Sequence, residues 1–143
     1  MSAIEGCVAG FEDGRPARSE NLPNTWVGIV DDDASLRAAL ARALRFNGIR
    51  VETFGSAEEF LDRDVGGEPD CIVLDIHLGG LSGFDLQARL MAEGGAPPII
   101  FITAHDDTLA ERARSNGACG YLRKPFETKA LVALVRPHLH SSE

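Results

Sequence analysis

Residues 71–80 read CIVLDIHLGG, and the fold of the whole chain turns on them. Cys71, Ile72, Val73 and Leu74 make a short apolar run of the kind that fills a buried strand. An ionisable residue, Asp75, stands at its tip, and Gly79-Gly80 follow almost at once. Removing a carboxylate from water costs free energy unless partners replace the lost hydration. Asp75 therefore either opens a solvated loop or forms one wall of a polar site, and the stretch alone allows both.

The flanking sequence repeats one order of signals: an apolar run, a polar turn, helical periodicity, a glycine stop. WVGIV (26–30) reads as a strand, followed by a helix with Leu36, Leu40 and Leu44 on one face that stops at Asn47-Gly48. RVETF (50–54) is the second strand. Ser56 and Glu59 have the spacing of a capping box, opening a helix that carries Ala57, Phe60 and Leu61 and ends at Gly66-Gly67. The strand 71–75 leads to a helix at about 84–93, closed by Gly94-Gly95. PIIFIT (98–103) precedes a helix at 108–115 with Asn116-Gly117 after it. CGYL (119–122) precedes a last helix at 127–139, in which Pro137 should end or distort the final turn. Five strands alternating with five helices predict a doubly wound α/β fold, a five-stranded parallel sheet covered on both faces.

Composition narrows the function classes. The chain has 143 residues and a net charge of −8, enough for one sizeable core and contrary to binding nucleic acid directly through a broad basic surface. No apolar run approaches the roughly 20 residues that span a bilayer, no secretory signal opens the chain, and acidity argues against an anionic membrane surface. Cys7, Cys71 and Cys119 are odd in number and widely spaced, which speaks against a disulfide framework or zinc site. Cys71 and Cys119 fall in apolar strand-like runs, where cysteine acts as a small hydrophobe. The cytoplasm is the expected compartment. Residues 1–25 lack periodicity and read as a flexible arm, with the domain proper at 26–140 and no effector domain after it.

In an open parallel sheet the C-terminal strand ends share one rim, and ligands bind there. The first strand ends in Asp31, Asp32 and Asp33, the third in Asp75 and the fourth in Thr103, and Lys124 stands just past the fifth, before Pro125. Singly these are ordinary: Asp33 suits the cap of the first helix, Thr103 a strand, Lys124 a solvated surface. Together they predict a crevice. Clustered carboxylates repel unless a cation relieves them, and Mg²⁺ suits carboxylates plus water. A metal, an ammonium and a hydroxyl around one carboxylate are the parts that phosphoryl transfer to Asp75 requires.

From about 26 to 139 the chain resembles the receiver domain of bacterial two-component response regulators, the CheY-like fold. The resemblance rests on IVDDD (29–33), VLDIHLGGLSGFDL (73–86), FITAH (101–105) and GYLRKPF (120–126), and the wording is nearest to FixJ-type receivers. It implies strand order 2-1-3-4-5 and phosphoryl transfer to Asp75 from a sensor histidine kinase, a histidine phosphotransfer protein or a small donor such as acetyl phosphate. It implies Mg²⁺ (or Mn²⁺) on Asp32 and Asp75, with Asp31 acting through water and His77 through its backbone carbonyl. Lys124 is implied to pair with the phosphoryl group, with a cis bond to Pro125. Thr103 and Tyr121 are the implied switch pair, repacking the face of the fourth helix, fifth strand and fifth helix for an unknown downstream protein or a homodimer.

The chain departs from the family at Gly79, where proline is usual, and carries His77 and His105 at two positions that often tune loss of the phosphoryl group in the family; they either alter the lifetime of that group here or are exposed rim side chains without effect. The expected role is a stand-alone regulator or phosphorelay intermediate with no enzymatic activity beyond its own phosphorylation and autodephosphorylation. The alternative is a degenerate receiver, an interaction module never phosphorylated. An Asp-nucleophile phosphatase would need a second acid two residues after Asp75, where His77 stands. A flavodoxin-like FMN carrier is opposed by the acidic turn at 31–33.

Overall fold

The structure, a computed structural model, describes residues 25–64, 67–104 and 108–139, so most of the predicted arm, and His105, lie outside the described residues. Strands β1 (Val27–Val30), β2 (Val51–Phe54), β3 (Cys71–Asp75), β4 (Ile99–Thr103) and β5 (Gly120–Arg123) alternate with α1 (Ala34–Phe46), α2 (Ala57–Leu61), α3 (Gly83–Ala92), α4 (Thr108–Ser115) and α5 (Thr128–Val135). All pairings are parallel, and the order is β2-β1-β3-β4-β5. Among the described residues no helix is long and apolar enough to cross a membrane.

The two faces follow from strand alternation. Val27, Ile29, Cys71 and Val73 turn toward Leu40, Ala41 and Leu44 of α1 and Leu131, Val132 and Val135 of α5. Val30, Ile72 and Leu74 turn the other way, toward Phe60 of α2, Phe84, Leu86 and Leu90 of α3, and Ala113 of α4. Both sheet faces being covered, the strands need no polar side, and Ile99–Thr103 is buried throughout.

Several local expectations are amended. Asp33 caps α1 through the Ser35 and Leu36 N–H groups, as its position suggests. At α2, Ser56 accepts from the Glu59 N–H at 3.0 Å, but the Glu59 carboxylate turns to the Gly55 N–H instead of closing a box on Ser56. The reciprocal box stands at α3, between Ser82 and Asp85. The second helix is one turn long, ending at Leu61, well before Gly66-Gly67. Pro137 ends α5 early, and Arg136–His138 tighten into a 3-10 turn. Cys119 is a correction: it precedes β5 and is exposed, because the strand starts one residue later. Cys71 is buried, and burial, helped by the nearby Cys119 and Asp70, pushes its thiol up to about 12.

Candidate functional site

The parallel register brings Val30 level with Leu74 and Asp75 level with Ile102, so β1, β3 and β4 end on one rim. Asp31 is fully buried there, Asp75 is buried, and Asp32 is exposed. Oxygen atoms of all three carboxylates lie within 4.8 Å of one another. Each has a reason to be there. The Asp31 carboxylate accepts from the Asp33 N–H at 2.8 Å, which folds the turn into α1. The Asp75 carboxylate accepts from the His77 N–H at 3.0 Å, which turns the chain at the end of β3. Gly83 lets α3 begin against the Asp75 backbone.

Lys124 comes from the far end of the chain. Its backbone N–H donates to the Thr103 carbonyl at 2.7 Å, extending the β4–β5 pairing past Arg123. The Lys124–Pro125 bond is cis, as the resemblance implied. From that anchor the Lys124 ammonium donates to Asp31 at 3.1 Å and to Asp75 at 3.3 Å.

One cation between two buried carboxylates leaves the site short of positive charge. Burial raises Asp75 above its ordinary value; the His77 N–H opposes this, the Asp31 charge adds to it, and Lys124 offsets only part. Lys124 is itself raised: burial pulls it down, but the bond to Asp31 and the field of both carboxylates outweigh that. Replacing Lys124 with Met should therefore lower the unfolding free energy by about 2 kcal/mol in chelator at pH 7, below the cost of breaking a fully buried pair because the Lys124 side chain is itself partly exposed. Mg²⁺ should restore part of the loss. A urea midpoint unchanged from wild type would contradict this account of the charge balance.

A small hard cation fits this donor set. Metal–oxygen distances of about 2.1 Å put opposite ligands about 4.2 Å apart. The carboxylate spacing can close on one ion with slight adjustment.

Of the other predicted residues, Thr103 is fully buried at the end of β4, and Tyr121, level with Phe101 on β5, is half-buried against the core face that carries α2, α3 and α4. The His77 side chain is exposed. Two neighbours of the site escape sequence reading. The Arg37 guanidinium donates to the Asp31 carbonyl at 2.7 Å, reaching back over the start of α1. Glu58 of α2 accepts from the Leu81 N–H at 3.3 Å, beyond Asp75 in the β3–α3 loop. Both read in sequence as solvated helix charges. For Arg37 the available signal is its place six residues after Asp31, within reach of a long side chain.

A family model of the response regulator receiver domain matches residues 27–136. Nodulation protein W of Bradyrhizobium diazoefficiens is 39% identical over 123 residues, 85% of this chain and 54% of that protein. Transcriptional regulatory protein FixJ of Azorhizobium caulinodans is 40% identical over 124 residues, 86% of this chain and 57% of that protein. The chain thus spans about half the length of these curated relatives. The crystal structure of a response regulator receiver protein from Burkholderia phymatum is 44% identical and superposes with a TM-score of 0.70, covering 80% of this chain and 94% of that one. The crystal structure of FixJ-N is 33% identical with a TM-score of 0.71, covering 82% and 94%.

Proposed function

This chain belongs to the response regulator receiver domain family, whose role is to accept phosphate in two-component signalling, and on that premise we propose that Asp75 is its phosphoacceptor. The observation that supports this most is the meeting of Asp75, Asp31 and the Lys124 ammonium on one rim, with Asp75 buried and its charge incompletely balanced.

The donor is the phosphohistidine of a sensor histidine kinase or histidine phosphotransfer protein, or a small molecule such as acetyl phosphate. An Asp75 carboxylate oxygen attacks phosphorus in line; the new O–P bond forms as the P–N bond to the donor imidazole breaks, and the product is an acyl phosphate. Asp31, Asp32 and Asp75, with the His77 backbone carbonyl, are the residues that would hold Mg²⁺ or Mn²⁺. The cation supplies charge neutralisation at the phosphoryl oxygens. Lys124, already aimed at Asp75, supplies a second positive group to those oxygens. Thr103 donates its hydroxyl to the phosphoryl group, and Tyr121 turns inward as Thr103 moves, which repacks the α4-β5-α5 face. The phosphate thus biases two arrangements of one packed face. His77 and His105, two residues past Asp75 and two past Thr103 in sequence, set the lifetime of the acyl phosphate.

Downstream, the repacked face binds a further protein or domain, or a second copy of the chain. Direct contact with nucleic acid is not assigned to the receiver itself, in keeping with its net charge of −8. The matched relatives include transcriptional regulators, so the output of the longer proteins is a separate matter.

Thermal unfolding with Mg²⁺ and beryllofluoride, a stable phosphoryl mimic, tests the assignment. Saturation at a hundredfold over the dissociation constant should stabilise the wild type by about 2.7 kcal/mol. Asp32→Ala should lose most of this gain. A wild-type melting temperature indifferent to Mg²⁺ and beryllofluoride together would overturn the proposal.

A further inference from the structure

Between β3 and α3 the chain runs through residues 76–82, next to the acidic cluster. The base of this loop is clamped. The Gly83 N–H donates to the Ile76 carbonyl at 2.9 Å, and Leu78 and Leu81 pack partly against the core. Its crest is the Gly79-Gly80 pair, with Gly80 at a φ of +128, a left-handed value that glycine adopts without steric cost. Gly79 has no packing against it: a Cβ there would meet nothing within 4 Å. Two consecutive glycines leave the crest of the loop, beyond the turn at His77, weakly determined by the loop itself.

A residue of another element supplies the missing constraint. Glu58, near the start of α2, accepts the Leu81 N–H at 3.3 Å from 23 residues away in sequence. Its carboxylate also stands beside Gly80. A Cβ on Gly80 would stand 2.9 and 3.2 Å from the two Glu58 carboxylate oxygens. Glu58 carries a charge that suits the first turn of α2, where it stands; toward the loop what counts is the contact with the Leu81 N–H. Its use is as a hydrogen-bond acceptor.

Resting on the reading of the rim as a cation and phosphoryl site, we propose that Glu58 is a positioning residue: its carboxylate holds the Gly80–Leu81 end of the β3–α3 loop, and thereby fixes how the His77 backbone is presented to the metal. Outer partners of this kind orient the ligands in front of them and are felt in affinity. By reciprocity, a cation on the loop should tighten α2.

The test is Mg²⁺ titration of the full chain by calorimetry, comparing wild type, Glu58→Gln and Glu58→Ala. Glutamine keeps the acceptor and removes the charge; alanine removes both. Glu58→Ala should weaken binding about tenfold, the low end for outer partners of a metal site, while Glu58→Gln binds as the wild type does. Hydrogen exchange in 57–61 should slow on Mg²⁺ addition in wild type and Glu58→Gln but not in Glu58→Ala. Equal affinity in wild type and Glu58→Ala overturns the proposal, even where melting temperatures differ, since a purely structural contact would shift stability alone. Equal weakening in both variants overturns it too, assigning the effect to charge. Absence of Mg²⁺ binding by the wild type would instead defeat the underlying site assignment, and the proposal with it.

Discussion

Gly83→Ala should cost about 3 kcal/mol of folding stability, the upper part of the usual range for forcing extra volume into a packed site. A Cβ on Gly83 would stand 2.5 Å from the Asp75 carbonyl oxygen, 2.9 Å from the Ile76 Cα and 3.2 Å from the Asp75 carbonyl carbon. All three are backbone atoms, so no side-chain rotation relieves the clash. The N-terminus of α3 must back away from β3, stretching the Gly83–Ile76 hydrogen bond and shifting the chain that carries Asp75. Gly79→Ala is the matched control, because that position is open and its change should stay within about 0.5 kcal/mol. Urea unfolding of the two variants beside the wild type decides it. Equal midpoints for Gly83→Ala and wild type would show that α3 does not start against the end of β3.

Much of this arrangement is legible in the amino-acid sequence. The strands announce themselves because a sheet covered on both faces needs unbroken apolar runs, and CIVL and PIIFI have them. Once the strands are parallel, Asp31, Asp75 and Lys124 must share a rim, although 93 residues separate the first from the last. What sequence reading misses are contacts chosen by tertiary packing. Glu58 and Arg37 look like solvated helix charges because nothing local says which loop will lie beside them. Gln87 is buried on α3, donating to the Asn116 carbonyl at 2.9 Å after α4, a partner 29 residues away. Cap geometry is similarly underdetermined. The Glu59 carboxylate accepts from the Gly55 N–H and not, as a capping box requires, from that of Ser56.

The second large effect expected is that Asp75→Asn should abolish phosphoryl acceptance while making the metal-free protein more stable. Burial holds the Asp75 carboxyl above its ordinary value of 3.8, so the folded state keeps a proton that the unfolded state has already released. Stability contributed by this group therefore falls as the pH rises from 3.8 through the raised native value, and the deficit persists above it. Asparagine removes the charge and keeps an oxygen for the His77 N–H. In chelator at pH 7 the variant should gain about 1 kcal/mol, the low end for an incompletely compensated buried polar group. Near pH 3 the difference should close. Saturating Mg²⁺ should reverse the order, since only the wild type has the third carboxylate to bind it. A variant less stable than wild type in chelator would contradict the charge strain assigned to Asp75.

Acceptance itself is read most directly by intact mass after incubation with acetyl phosphate and Mg²⁺, wild type beside Asp75→Asn. A gain of roughly 80 Da in the wild type alone, the mass of one phosphoryl group on a carboxylate nucleophile, is the predicted result. An equal gain in Asp75→Asn would place the acceptor elsewhere, and no gain in a wild type that also ignores beryllofluoride would contradict the phosphoacceptor assignment altogether.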